Sequence, residues 1–515
     1  MRRDAIVNKL LWILTPVAVL GLVAAVQSAG CANTASDCAA LGLPSGCGVG
    51  GAGGATTVAS ATGTGGSGGK VGTGGTTSSS SASSTGAGGT GAGGSAAGAV
   101  CKARRGGDGV DQSARGAMAD AAGHLLIGGD FQGTLDFGLS PTLSATAGPW
   151  SFVALFDEPT LKPIWNRAVQ ATYLASALDP SGNVIVAGTY ASGVSLDFGC
   201  GALDSTKSFF LAKIDPTHQL PGGKCLFSKA FTAPLVRASL ATDASGAIVL
   251  AGTTQAPTNS PIELGMGSLQ CAGGLDIVAA KFDPTGVSLW SRGIGTAANE
   301  EAVSLALDSD GNAYVTGDFD GKLDFATGSN GLTTAGMRDI FVARFDAATG
   351  TSPWQLSFKG PNDDRATGLA VVPGGLVVGG DFTGSLDVGT KHLTSASAFV
   401  VARLKLDGSV VGASALDGKG NGTFSALTAT ASAGFVLTGS DAATGGLLVA
   451  AFDGKGVPLF DTTFPGTGAS RGLAVVTHGG AIDVAGTFDG TMDLGGANML
   501  QSSGMKDVFV AHICP

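Results

Sequence analysis

The chain contains 515 residues, of which 86 are glycine and only 13% are charged, and its formal net charge is -10. Its glycine content is more than twice the usual ~7% and its charged fraction about half the usual ~25%, which excludes an ordinary soluble helical protein. The net negative charge argues against a nucleic-acid partner, because nucleic-acid recognition needs clustered Lys and Arg side chains.

The N-terminal residues predict export. A basic start is followed by an apolar stretch from Leu10 to Val26 and by small residues that end at Cys31, which is the order of segments in a signal peptide. The sequence Ser28-Ala29-Gly30-Cys31 resembles the lipobox of bacterial lipoproteins, with Ser28 where that family usually has Leu. The resemblance implies that residues 1–30 are a signal peptide, that Cys31 is lipidated, and that this lipid anchor holds the protein at the membrane.

The same resemblance bears on localisation. The residue after the lipidated cysteine is Ala32 and not Asp, which in that family permits transfer to the outer membrane and display at the cell surface. Two alternatives remain open at this stage. Cleavage after Gly30 by an ordinary signal peptidase gives a secreted or periplasmic protein, and an uncleaved segment gives a membrane anchor.

A low-complexity segment follows the signal. Residues 31–100 are dominated by Gly, Ala, Ser and Thr, almost without interruption from Gly48 to Ala99. This composition offers no apolar surface to bury and does not repay the entropy of ordering. We expect residues 31–100 to form a disordered tether, with Cys38 and Cys47 as a candidate disulfide pair near its start.

The remaining residues, 101–515, contain a repeated pattern. Seven times an apolar run ends in a glycine followed by a polar or aromatic pair, at intervals from 47 residues (Gly439 to Gly486) to 65 residues (Gly252 to Gly317). The seven repeated glycines are Gly129, Gly188, Gly252, Gly317, Gly380, Gly439 and Gly486. A period of this length is typical of stacked supersecondary units.

Other segments keep the same period. An LDFG-like sequence follows most of the glycine strands, and then comes an apolar strand such as SFVALFD, which ends at Asp157. A further strand precedes each glycine strand, and turn sequences of the Asp-Ser-Asp-Gly-Asn type separate the strands. The last strand of most repeats is centred on an aromatic residue: Trp165, Phe227, Trp290, Trp354 and Phe460.

Four short strands per repeat predict an all-β fold, a single seven-bladed β-propeller of four-stranded antiparallel blades. Such sheets do not bury both apolar faces alone, whereas radial stacking covers both faces and leaves only short edges. The alternative is an open β-solenoid or a row of small sandwiches. The repeats resemble the bacterial "beta-propeller repeat" family over residues Gln112 to Ile513, in which seven such units are proposed to form one ring. Repeat six lacks the LDFG element.

The chain ends indicate how the ring closes. The last repeat stops after the strand VFVAHIC and lacks its aromatic strand, and Val100 to Arg105 are placed to supply it. This arrangement puts Cys101 beside Cys514 and predicts a disulfide between them, the alternative being two unpaired strand cysteines. Cys200 and Cys225 form a second candidate pair within one repeat, and Cys271 occupies a repeat position similar to that of Cys200.

One turn has the composition of a weak metal site. Asp308, Asp310 and Asn312 are spaced as at the start of a calcium loop, but the bidentate Glu of an EF-hand is missing downstream. An ordinary hairpin turn is the favoured interpretation, so we expect no cofactor, with Ca²⁺ as the alternative. The aspartates of the LDFG elements either form a charged rim or bond to the backbone of their own turns: Asp136, Asp197, Asp324, Asp387 and Asp493.

No catalytic constellation is evident. The five histidines, His124, His218, His392, His478 and His512, share no repeat position, and no nucleophile elbow or zinc-protease motif occurs. Two charged clusters, Asn299-Glu300-Glu301 and Asn362-Asp363-Asp364-Arg365, occupy equivalent loops and are either solvated turns or contacts for a ligand.

The sequence therefore favours a non-enzymatic binding or scaffolding module with an unidentified extracellular protein or glycan as ligand. The alternative is an extracellular hydrolase or lyase with its active site at the central channel, because the fold alone does not decide function.

Overall fold

A computed structural model describes residues 98–514 apart from 159, 219–221, 256–260, 271, 326–330, 417–422 and 497. The signal peptide, Cys31, the tether up to residue 97, the Cys38 and Cys47 pair and Cys271 lie outside the described residues. Among the described residues, no apolar helix of membrane-spanning length occurs.

The regular elements are β-strands. In chain order they are β1 (Val100–Gly106), β2 (Gln112–Ala119), β3 (His124–Phe131), β4 (Thr134–Leu135), β5 (Leu143–Ser144), β6 (Trp150–Asp157), β7 (Lys162–Val169), β8 (Thr172–Leu178), β9 (Val184–Thr189), β10 (Phe209–Asp215), β11 (Lys224–Phe231), β12 (Leu235–Thr242), β13 (Ile248–Thr254), β14 (Pro261–Glu263), β15 (Ser268–Gln270), β16 (Asp276–Phe282) and β17 (Ser288–Ile294). They continue with β18 (Glu300–Leu307), β19 (Ala313–Leu323), β20 (Leu332–Phe345), β21 (Trp354–Phe358), β22 (Arg365–Val372), β23 (Gly375–Val388), β24 (Lys391–Leu404), β25 (Val410–Leu416), β26 (Thr423–Ala429), β27 (Phe435–Ser440), β28 (Leu447–Phe452), β29 (Pro458–Phe464), β30 (Ser470–His478), β31 (Ala481–Phe488), β32 (Thr491–Asp493), β33 (Met499–Gln501) and β34 (Asp507–Ile513).

These strands form seven four-stranded antiparallel sheets, as the repeats predict. In chain order the blades are β2-β3-β6-β7, β8-β9-β10-β11, β12-β13-β16-β17, β18-β19-β20-β21, β22-β23-β24-β25, β26-β27-β28-β29 and β30-β31-β34-β1. We number them blade 1 to blade 7 and call their strands inner, second, third and outer in this order. The second strand carries the repeated glycine, and in blades 1, 2, 3, 4 and 6 the outer strand carries the aromatic residue.

The blades close into a ring. Inner strands of successive blades contact one another from β2 to β30, and β30 contacts β2 again. The described core divides into clusters that each combine two neighbouring blades, and one of them joins Leu125 and Phe152 of blade 1 to Val510 of blade 7. The ring confirms the propeller and excludes the open solenoid and the row of sandwiches.

Burial explains the apolar runs of the second and third strands. Strands β13 and β34 are buried at every position, because a neighbouring blade covers each face of the sheet. A sheet with both faces covered has continuous apolar strands instead of alternating ones.

The LDFG elements form hairpins between the second and third strands. They are separate pairs in blades 1, 3 and 7 (β4-β5, β14-β15 and β32-β33) and extensions of the long strands in blades 4 and 5. Their apolar residues pack into the core, as with Leu135 and Phe137. Blade 6 passes from β27 to β28 without such a hairpin, so its repeat is short although all four strands are present.

The first strand completes the last blade. Strand β1 pairs antiparallel with β34, as the chain ends predict. A disulfide joins Cys101 and Cys514 across these strands, with Cα atoms 5.8 Å apart. A second disulfide joins Cys200 and Cys225, with Cα atoms 5.6 Å apart.

Candidate functional site

Hydrogen bonds between neighbouring blades organise one end of the channel. In six blades the inner strand has a β-bulge directly after the residue opposite the repeated glycine, in blade 4 between Ala302 and Ser304. In blade 3 the bulge lies earlier, between Leu235 and Arg237. In blades 1, 3 and 4 the polar residue after the repeated glycine bonds to the next blade beside its bulge. Oδ1 of Asp318 accepts a hydrogen bond from the Ala366 N–H at 2.5 Å, and Thr253 Oγ1 accepts one from the Ala302 N–H at 3.0 Å.

Seven residues pair with these polar positions and form what we call the mouth ring. They are Ser113, Thr172, Arg237, Glu301, Arg365, Thr423 and Arg471. Each lies on an inner strand at the same register, and the inner strands surround the axis, so the ring encircles one end of the central channel. Arg115, at the bulge of blade 1, lies beside it.

Arginines dominate the exposed groups of the mouth. The side chains of Arg237 and Arg365 are each 49% exposed and that of Arg115 is 57% exposed. Carboxylates beneath them are more buried, with Glu301 at 18% and Asp318 at 7%. Arg237 Nη2 lies 3.7 Å from Glu301 Oε2. The guanidinium groups therefore face solvent over a buried carboxylate layer.

Arg338, from the third strand of blade 4, connects the mouth to the loop before blade 5. Its guanidinium lies 3.2 Å from Glu301 Oε1, 3.8 Å from Asp318 Oδ2 and 3.7 Å from Asp363 Oδ1. Its Nε also lies 3.8 Å from Asp320 Oδ1. One cation thus contacts four carboxylates, and the mouth carries its densest charge between blades 4 and 5.

Burial shifts the titration of two mouth carboxyls. Burial raises the pKa of Asp318 to about 7, although the Ala366 N–H and Arg338 act in the opposite direction. Burial also raises the pKa of Asp381 to about 6, against the opposing influence of Arg471. Both carboxyls therefore change charge close to neutral pH.

The two charged loop clusters noted in the sequence each have one part in the mouth and one part in the protein interior. Glu301, Asp363 and Arg365 join the mouth network, in which Arg365 donates to Asp363 at 2.9 Å. Glu300 and Asp364 point inward and are fully buried. Burial, and then the neighbouring Asp339, raise the pKa of Asp364 to about 7.

The candidate calcium loop has the hydrogen bonds of a hairpin turn. The Asp308 carboxylate accepts bonds from the N–H groups of Asp310 and Asn312, from Asn312 Nδ2 and from the Tyr314 hydroxyl. Several LDFG aspartates likewise bond to their own turns, as Asp136 does to the Gly138 N–H. The pattern supports the structural interpretation of these residues.

A second cluster, which the sequence analysis missed, lies where blade 7 meets blade 1. Glu158 follows the third strand of blade 1, Asp483 and His512 lie on β31 and β34, and His478 ends β30. We call these four residues the seam cluster. Glu158, Asp483 and His512 are the only group of three or more His, Cys, Asp or Glu in the described ranges whose ligand atoms lie within 4.8 Å of one another.

The sequence did contain a signal for this cluster. The position of His512 on the third strand holds a basic residue in four other blades, namely Lys213, Lys281, Arg344 and Arg403. Only blade 7 has His there, opposite Asp483. A comparison of repeats position by position would have singled out His512.

Comparison with known proteins does not assign the chain to a family. No protein family profile matches the chain. The regulatory protein FlaEY of Caulobacter vibrioides is 26% identical over 260 residues, which are 49% of this chain and 27% of that protein. The chain thus spans little more than a quarter of the relative it matches.

The solved structures that are similar to the chain include the following two. A chain of the mitotic checkpoint complex has a TM-score of 0.44 at 11% identity, covering 80% of this chain and 94% of its own length. Quinohemoprotein alcohol dehydrogenase ADHIIG of Pseudomonas putida HK5 has a TM-score of 0.39 at 11% identity, covering 80% of this chain and 75% of its own. Likenesses of this size do not bear on ligand or activity.

Proposed function

We propose that this protein is an exported, lipid-anchored binding module that holds an acidic glycan at the mouth of its central channel. The observation that carries the proposal is the set of exposed guanidinium groups around one end of the ring, from Arg115, Arg237, Arg365 and Arg471. Guanidinium groups bind carboxylates and sulfates through paired hydrogen bonds, and they keep their charge at every physiological pH.

The arrangement of the arginines favours a polymeric anion. They come from blades 1, 3, 5 and 7, so cationic groups recur around the mouth, with Arg471 and Arg115 in adjacent blades. A glycan with a carboxylate on successive sugars offers several anionic groups to this mouth, and several contacts made at once raise affinity without new kinds of contact. Glu301 lies largely buried beneath Arg237, and Asp363, which is 37% exposed, holds Arg365 at 2.9 Å.

The N-terminal sequence supports the cellular setting. A signal peptide over residues 1–30, lipidation at Cys31 and a tether over residues 31–100 would hold the propeller clear of the membrane. Replacement of Cys31 by Ser should release the protein from the membrane fraction. Retention of that variant in the membrane would reject the lipid anchor.

A hydrolase or lyase remains the second candidate, and the raised pKa of Asp318 favours it. A carboxyl that titrates near neutral pH is suited to general acid or base catalysis. Oδ1 of Asp318, however, accepts the Ala366 N–H, and its side chain is only 7% exposed. These contacts give Asp318 a structural role that accounts for its burial.

The test is binding of polygalacturonate to the mature chain, measured by titration calorimetry with uncharged dextran as the comparison ligand. Replacing Arg237 and Arg471 together by Gln should lower the affinity at least about tenfold, since charged hydrogen bonds are lost. The matched control is Arg292→Gln on the outer strand β17, which should bind as the wild type does.

Two results would count against the proposal. Equal affinity of the wild type and the double variant would remove the mouth as the binding site. Release of new reducing ends or unsaturated sugars during the titration would favour the enzyme. Weaker binding at higher salt is expected in either case, because the contacts are exposed.

A further inference from the structure

The geometry points to a divalent metal site at the seam cluster, with Glu158, Asp483 and His512 as ligands and His478 beside Glu158. The site lies between the last and first blades, near the disulfide between Cys101 and Cys514, and it is independent of the channel mouth. Zinc, or a first-row metal of similar preference, is the class of ion that this donor set takes.

The distances among Glu158, Asp483 and His512 suit a single ion, whereas His478 contacts Glu158 from outside this group. His512 Nδ1 lies 2.9 Å from Asp483 Oδ1 and 3.8 Å from Glu158 Oε1, and His478 Nδ1 lies 2.8 Å from Glu158 Oε2. Nitrogen and oxygen ligands bind zinc at about 2.0–2.2 Å, so two ligand atoms of a tetrahedral site are about 3.4 Å apart. The observed separations lie on both sides of that value.

The burial of the acidic groups calls for a positive partner. The side chain of Asp483 is 1% exposed, that of His512 is 3% exposed and that of Glu158 is 4% exposed. Two buried carboxylates side by side are unfavourable unless a cation or a proton neutralises them. Oδ2 of Asp483 accepts no hydrogen bond from a protein donor in the described structure, so this oxygen has a lone pair available to a cation.

The other blades show what the fold itself requires at this position. Lys213 donates to the Pro284 carbonyl of the next blade at 3.2 Å, and Arg403 donates to the Gly454 carbonyl of its next blade at 2.6 Å. One permanent cation is therefore sufficient to link two blades. Blade 7 replaces it by an imidazole, which has a lone pair for a metal.

The seam differs from the other blades in the number of its acidic partners. In blades 2 and 3 the basic residue pairs with one aspartate of a turn, Lys213 with Asp179 at 2.7 Å and Lys281 with Asp243 at 3.0 Å. At the seam, by contrast, both Asp483 and Glu158 lie beside His512. One imidazole with two carboxylates forms a mixed nitrogen and oxygen set, which suits zinc better than calcium, since calcium prefers oxygen ligands alone.

The test uses the mature chain after treatment with a chelator. Zn²⁺ alone is titrated by calorimetry, and Co²⁺ alone is titrated by visible absorption, which reports nitrogen and oxygen ligands in a tetrahedral field. One ion per chain is expected. His512→Lys should lower the Zn²⁺ affinity about 100-fold or more, because it removes a direct ligand while even outer contacts alter affinity 10–100-fold.

The variant and its control keep the result interpretable. His512→Lys installs the residue that blades 2 and 3 carry at this position, so it should fold, as circular dichroism would verify. His392→Ala is the matched control, since His392 pairs with Asp387 at an exposed position, and it should bind Zn²⁺ as the wild type does. Absence of Zn²⁺ heat and Co²⁺ absorption in the wild type, or equal binding by His512→Lys, would overturn the proposal and leave a proton shared by Glu158 and Asp483.

Discussion

At the scale of the residue, Asp318 has a hydrogen bond that favours its charged form and a buried position that disfavours it. Its carboxylate bonds to the Ala366 N–H and so joins blade 4 to blade 5. The same position is largely buried, and burial raises its pKa well above the ordinary range of an aspartate, to about 7. The Asp318 carboxyl therefore keeps its proton to a higher pH in the folded protein than in the unfolded chain.

The sign of this shift gives a pH prediction. A carboxyl whose pKa is higher in the folded state contributes stability that is fully present below about pH 4 and is lost as the pH rises through about 7. Asp318→Asn retains an acceptor for the Ala366 N–H but removes the titrating carboxyl. Between pH 5 and pH 8 the unfolding free energy of the variant should therefore fall by about 2–4 kcal/mol less than that of the wild type. Denaturant unfolding at both pH values measures this, with Asp310→Asn at an exposed turn as the control. Parallel pH slopes for the wild type and Asp318→Asn would contradict the prediction.

At the scale of the element, the repeated glycines are explained by the close approach of the inner strands. A Cβ atom added at Gly317 would lie closer than 3.0 Å to the Glu301 carbonyl and to the Phe341 ring. The same close approach to an inner-strand carbonyl occurs at the equivalent glycines of the other blades: Gly129, Gly188, Gly252, Gly380, Gly439 and Gly486. These glycines have no positive φ, so close backbone approach, and not turn geometry, requires them.

Gly317→Ala tests that explanation. The added methyl group must displace either the inner strand of blade 4 or Phe341, and overpacking of this kind costs about 1–3 kcal/mol, with larger losses where backbone must move. Gly109→Ala is the control, since nothing lies within 4 Å of its added Cβ, and its stability should change by less than about 0.5 kcal/mol. Denaturant unfolding of both variants gives the comparison. Equal stability of the two variants would show that the glycine is not required by contact.

At the scale of the whole molecule, periodicity explains what the sequence could predict. The same pattern recurs in each repeat, and it predicts the strands, the hairpins, the number of blades and the role of Val100 to Arg105. The mouth was only partly predictable, because Glu301 and Arg365 lie in recognisable loops while Arg237 and Arg471 become neighbours only through the ring. The seam cluster combines Glu158 with residues more than 300 positions away, and no repeat position relates them. Residues that depart from the repeat, such as His512, therefore indicate sites that the repeated positions do not.

Closure of the ring also depends on its two ends. The disulfide of Cys101 and Cys514 spans 413 residues, whereas that of Cys200 and Cys225 spans 25. The entropy that a crosslink removes from the unfolded chain grows with the logarithm of the loop length, so the closing disulfide should stabilise more, by roughly 2 kcal/mol.

Replacing Cys101 and Cys514 together by Ser should lower the unfolding free energy by about 2–5 kcal/mol, and the Cys200 and Cys225 double variant should lose less. Non-reducing peptide mapping establishes the pairing first, and denaturant unfolding then ranks the variants. Free thiols at Cys101 and Cys514, or the reverse ranking, would show that strand pairing between β1 and β34 closes the ring without help from the crosslink.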